Sequence, residues 1–114
     1  MPKAAPVKMT CMYHIKKGKE AAFRRLLERH WPALFAAGLA TDEPAIVFRC
    51  ESKRTGRVSF LEQFSWKNSN ASAIAHETPA VTAIWEPMMP LLENMELFKT
   101  ASVAMPFDKP ARRK

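Results

Sequence analysis

"RVSFLEQFSW", residues 57–66, puts Phe60, Glu62, Phe64 and Trp66 at every second position. Successive side chains of an extended chain point to opposite faces, so these four share one side of a strand. Upstream, "AIVFRCES" (45–52) is equally rich in strand formers, and "KRTG" (53–56) separates the two runs, which predicts a hairpin. Both phases of the hairpin carry apolar residues: Ile46, Phe48 and Cys50 alternate with Ala45 and Val47, and Leu61 opposes Phe60 and Phe64. A sheet built on this hairpin needs cover on two faces.

Working outward toward the N-terminus, "VKMTCMYHIK" (7–16) alternates Val7, Met9, Cys11, Tyr13 and Ile15 with more polar neighbours, again a strand. Gly18 frees the chain to turn. "KEAAFRRLLERHWPALFAAG" (19–38) then sets Phe23, Leu26, Leu27, His30, Leu34 and either Trp31 or Phe35 on one stripe of a helix of about five turns. Pro32 is expected to bend this helix and Gly38 to end it. Downstream of the hairpin, "KNSNASAIAHETPAVTAIWEPMMPLLENM" (67–95) is helical but interrupted. A first piece stops near His76, Thr78 and Pro79 supply a cap and a first helical position, and Pro87 and Pro90 keep the second piece short. "ELFKTASVAM" (96–105) reads as the last strand.

The order is βαββαβ, an α+β ferredoxin-like arrangement of a four-stranded antiparallel sheet with two helices on one face. One domain over residues 1–105 and a basic tail over 106–114 account for the whole chain. No further element is left to cover the other sheet face, so a homodimer is expected.

Charge and composition exclude several classes of function. The formal charge of +7 suggests nucleic acid, but "PFDKPARRK" contributes nearly half of it, and no aromatic-interleaved basic strand or recognition helix accompanies the rest. Apolar residues are interrupted by prolines and polar groups, so no membrane span is expected. "MPKAAPVKMTC" does not have the layout of a signal peptide, which makes a cytoplasmic protein the expectation. Cys11 and Cys50 lie in strand-like runs and read as reduced, buried thiols. His76 followed by Glu77 begins like a zinc-hydrolase helix. The second histidine that motif requires one turn later is Ala80, and His14 and His30 have no partner at metal spacing, so no metal site is predicted.

Over roughly residues 6–105 the chain resembles the antibiotic-biosynthesis-monooxygenase type of dimeric α+β barrel. The resemblance is carried by the element order and by "EQFSWKNSNAS" followed by "AHETPAV". In these, Trp66 closes a strand, Lys67 to Ser69 turn, Ala75 and His76 end a half helix, and Thr78 and Pro79 open the next. Many relatives have a histidine directly after the Thr-Pro step; this chain has Ala80. The resemblance implies a pocket between helices and sheet for a flat aromatic molecule, a phenol or quinol-like ring, attacked by oxygen without metal or flavin. The haem-degrading branch of the superfamily does not fit, because Cys11 stands where that branch has an asparagine and Trp85 or Glu86 where it has a histidine.

Within such a pocket Glu62 and His76 are the candidate catalytic groups. A carboxylate flanked by Phe60, Phe64 and Trp66 is expected either to pair with a cation such as Arg49 or to take part in substrate deprotonation. Imidazole is the side chain that titrates nearest neutrality, so His76 is either a pocket acid or base or a hydrogen-bonded residue at the helix break. Trp66, Phe64, Tyr13 and Trp85 are candidate pocket walls, the tryptophans with core packing as the alternative, and His14 is a lesser candidate. Met88 and Met89 suggest an adaptable apolar wall. A dimeric small-molecule binder or interaction module without chemistry is the alternative function.

Overall fold

A computed structural model describes residues 5–112. The expected order is present: β1 (Val7–Ile15), α1 (Glu20–Ala36), β2 (Ile46–Glu51), β3 (Val58–Trp66), α2 (Ala71–His76), α3 (Pro79–Met88) and β4 (Leu92–Lys99), with a 3-10 turn at Met89–Leu91 before β4. The strands form one antiparallel sheet in the order β2-β3-β1-β4, with the helices on one side. This is the ferredoxin-like α+β fold.

The period-two reading of β3 holds throughout: Phe60, Glu62, Phe64 and Trp66 are all buried, while Ser59, Leu61, Gln63 and Ser65 are half-buried. Register extends the pattern, since Cys11 pairs with Glu62, Met9 with Phe64 and Tyr13 with Phe60. Cys11, Tyr13 and Ile15 thus face the helices together with the buried row of β3. Against this face α1 lays Phe23, Leu27, His30 and Leu34, and α3 adds Val81, Ile84 and Met88. Tyr13, Phe23 and Phe60 meet ring to ring at 5.0 and 5.9 Å.

Three local devices fix how the layers meet. Gly38, at φ 74°, ends α1; its N–H reaches the Phe35 carbonyl and the Leu39 N–H the Leu34 carbonyl, both at 2.9 Å. The chain after that stop is stitched to the end of β3 by Lys67 N–H to the Leu39 carbonyl at 2.7 Å and Thr41 N–H to the Ser65 carbonyl at 3.0 Å, which locks Trp66 in place. Finally, Thr78 occupies the N-cap of α3 with Pro79 in its first turn, as expected, but the Thr78 hydroxyl donates backward to the Ile74 carbonyl at 2.7 Å. It joins the two helix pieces instead of capping the second.

Two sequence expectations change. The last strand is Leu92–Lys99, not a run through residue 105. It starts straight after the turn made by Pro90 and ends where its partner ends, with Thr100 N–H to the Lys8 carbonyl at 2.9 Å near the start of β1. Residues 101–112 are exposed and without regular structure; Arg113 and Lys114 of the expected basic tail, and residues 1–4 of the N-terminal stretch, lie outside the described residues. On α1, Trp31 is half-buried and Phe35 is 46% exposed, stacked on Trp31 at 5.1 Å, so neither joins the fully buried stripe. The helix runs on through Pro32.

The side of the sheet away from the helices has no cover within the chain. Register puts Ile46 and Phe48 of β2, Leu61 of β3, Met12 of β1 and Phe98 of β4 on it. Ile46, Phe48 and Phe98 are 52%, 53% and 47% exposed. No helix among the described residues is long and apolar enough to cross a membrane.

Candidate active site

The inner face carries one buried polar cluster. Glu62, 1% exposed, accepts a hydrogen bond from the Tyr13 hydroxyl at 2.7 Å. Its two carboxylate oxygens lie 3.1 and 3.0 Å from Nδ1 of His30, itself 3% exposed. On the far side of the ring, the Trp85 indole N–H donates to His30 Nε2 at 2.8 Å. An indole nitrogen is only a donor, so Nε2 must be the acceptor and the proton of a neutral imidazole sits on Nδ1. Trp85 therefore sets the tautomer, and the Glu62 carboxylate accepts from two neutral donors. Every member of the chain Tyr13, Glu62, His30, Trp85 is satisfied, which is the condition for keeping such groups in an apolar core.

The surroundings shift two neighbours in one direction. Burial, reinforced by the Glu62 charge, pushes the Tyr13 phenol well above its ordinary range. The same two causes push the Cys11 thiol up to about 12. Both groups stay protonated, so neither is a ready anion.

Beside the cluster lies a cavity of about 380 Å³, a size suited to a small ligand. Its walls come from the inner face of β1 (Met9, Cys11, Tyr13), β3 (Phe64, Trp66), α1 (His30), α2 (Ser72, His76), α3 (Thr82, Trp85, Glu86, Met88) and the stretch from Met89 into β4. The aromatic walls brace one another: Phe64 meets Trp66 edge-on at 4.9 Å and His30 edge-on at 5.8 Å. Exposed His76 packs its ring against Trp85 at 4.8 Å.

The structure thus brings Tyr13, Phe64, Trp66, His76 and Trp85 to one cavity. Glu62 is not in the wall; it stands one layer behind, holding Tyr13 and His30. The expected pairing of Glu62 with Arg49 does not form. Arg49 reaches off the sheet edge to Glu20 of α1, with contacts of 2.6 and 3.1 Å that hold the Glu20 carboxyl below its ordinary range. His14 lies on the opposite face, bonded to Ser59 at 2.8 Å and Glu96 at 3.0 Å. His30, read from the sequence as isolated, is instead the hub of the cluster. The signal for it was a histidine between Leu27 and Leu34 on an otherwise apolar buried stripe, a polar group that must find a partner inside. Among the described residues no group of three or more histidine, cysteine, aspartate or glutamate side chains is placed to hold a metal ion.

No protein-family model matches the chain, and no curated protein matches it by sequence. Solved structures do match. SnoaB from Streptomyces nogalater, a cofactor-independent oxygenase, superposes with a TM-score of 0.66 at 17% identity, over 91% of this chain and all of that one (100%). A Nitrosomonas europaea protein named "Putative antibiotic biosynthesis monooxygenase" superposes with a TM-score of 0.63 at 11% identity, over 86% of this chain and 99% of the other. The chain shares the ferredoxin-like α+β fold of these proteins.

Proposed function

We propose that the cavity is the active site of a cofactor-independent monooxygenase acting on a small phenol or quinol-like ring. The observation that carries this reading is the buried Tyr13, Glu62, His30, Trp85 chain at the wall of an apolar cavity. An ionisable cluster costs more to bury than packed hydrocarbon, and it earns its place where a proton must be moved. The likeness in fold to an oxygenase that works without a cofactor supports the same reading.

The chemistry asks little of the protein beyond placement. The substrate hydroxyl gives its proton to a base, and the phenolate passes one electron to oxygen. The phenoxyl and superoxide radicals join in a carbon–oxygen bond, and the hydroperoxide, after taking back a proton, loses water to leave a carbonyl. Aromatic and methionine walls exclude water and hold the ring flat. Glu62 and His76 serve this scheme in different ways: Glu62 acts only through the side chains it holds, Tyr13 and His30, and His76, at the exposed mouth, exchanges protons with solvent.

A second copy of the chain covers the outer sheet face in this proposal, because Ile46, Phe48, Leu61, Met12 and Phe98 form an apolar row that one chain leaves bare. The test of function is oxygen uptake by chelator-treated protein, without flavin or nicotinamide, given a naphthol or naphthoquinol. Uptake is expected, and His76→Ala is expected to lower turnover about ten- to a thousandfold. Tight naphthol binding with no uptake would refute the oxygenase and favour a small-molecule binder of the same fold.

A further inference from the structure

We infer that His30 is the base that receives the substrate proton, with Glu62 anchoring its ring and Trp85 serving as a cap that the substrate displaces. The inference rests on the phenol reading of the cavity but names a group which that reading leaves open. Of the two imidazoles in the wall, only His30 has a carboxylate behind it.

The geometry gives each part a task. The Nδ1–H of His30 is held by both oxygens of Glu62 at 3.1 and 3.0 Å, so the ring cannot turn without breaking bonds to a carboxylate. Its remaining lone pair, on Nε2, is the atom able to accept a proton, and the Trp85 N–H occupies it at 2.8 Å. Glu62 is fully buried, whereas Trp85 is half-buried and lines the cavity, so Trp85 is the partner free to yield. A phenolic O–H arriving in the cavity offers Nε2 the same kind of donor that the indole did. Its proton then moves to Nε2, the O–H bond breaks, and the ring becomes an imidazolium with one N–H on the phenolate oxygen and the other on Glu62. Charge is conserved: a phenolate and an imidazolium form together, and the Glu62 carboxylate offsets the new cation without changing its own protonation. Tyr13 keeps its proton and fixes Oε1 of Glu62 from the other side. Cys11, the other titratable side chain near the carboxylate, also stays protonated.

The test uses 4-nitrophenol, whose ionised form is coloured, added to the full-length protein at a pH where the free dye is mostly colourless. Wild type should bind it in the coloured form. His30→Gln and Glu62→Gln should bind it colourless and about ten- to a hundredfold more weakly, the worth of one hydrogen bond to a charged partner. Trp85→Phe disturbs less of the core and should keep the bound dye coloured while tightening its binding severalfold, because the cap no longer competes. A coloured bound dye in His30→Gln, a colourless or unbound dye in wild type, or weaker binding in Trp85→Phe would each overturn the assignment. Coloured dye in wild type, lost in His30→Gln, together with no oxygen uptake from any oxidisable phenol, would leave the base in place and refute the oxygenase.

Discussion

Replacing His30 by leucine takes the central link out of a buried chain. The Glu62 carboxylate then keeps only the Tyr13 hydroxyl as a partner, and the Trp85 indole turns to solvent. A hydrogen bond to a charged acceptor contributes about 1.5–3 kcal/mol, so a loss of about 3 kcal/mol is expected once the poorer packing is included. For a chain of this size that lowers the thermal midpoint by roughly 10–15 °C. Glu62→Leu removes the charge but strands two buried donors, Tyr13 and His30, at about 2 kcal/mol net. With both residues changed, the stranded groups reduce to the Tyr13 hydroxyl, and the double variant should lose about 3 kcal/mol, leaving a coupling of about 2 kcal/mol between the two sites. Urea unfolding followed by circular dichroism, at one fixed protein concentration so that any assembly weighs equally on each variant, measures all three. Additivity to within about 0.5 kcal/mol would show that the two side chains do not depend on each other, and the account of the cluster would fail.

Phe48→Asp, on the bare sheet face, is expected to turn a sedimenting dimer into a monomer with unchanged secondary structure; a wild-type protein that already sediments as a monomer at micromolar concentration would rule out the second copy. Because the folded thiol of Cys11 holds its proton up to about 12 against an ordinary 9.0, stability should fall as pH rises across that window. The raised value favours the folded state below the ordinary thiol range, and the advantage is lost as the folded thiol ionises; Cys11→Ala should lower the slope of midpoint against pH, and an identical slope would contradict the burial effect. Deleting residues 106–114 should leave the thermal midpoint within a few degrees, since the described part of that segment is exposed; a large fall would place the tail on the body or on a second copy.

The helix-facing row of β3 was legible because period two survives any uncertainty about neighbours, and the Thr78-Pro79 break because proline fixes its own backbone. Gly38 was legible for a similar reason: the stop needs a positive φ. The cluster was only half visible. Glu62 stood out as a carboxylate among aromatics, and His30 lay on the right stripe, but the residues are 32 apart and meet only through the rotation of α1 against the sheet. Sequence periodicity gives the face of a helix, not the strand residue beneath it. Arg49 misled for the same reason. It sits across from Phe60, and its long side chain finds Glu20 in solvent more cheaply than a buried carboxylate. The start of β4 was hidden because "LEN" has little strand propensity and pairs only because β1 offers it a free edge.

The central position of β1 has a consequence for how the chain is made. It precedes the other elements of the fold, yet its hydrogen bonds go to β3, more than forty residues away at their nearest, and to β4, which finishes at Lys99. Early contacts are therefore limited to the β2–β3 hairpin and the turns of α1, and the sheet cannot close until β4 has left the ribosome. Loops of that length make closure slow and leave the apolar side of β1 waiting for partners. The residues of the cluster, Tyr13, His30, Glu62 and Trp85, come from four different elements, β1, α1, β3 and α3, so the site assembles in the same late step that completes the sheet.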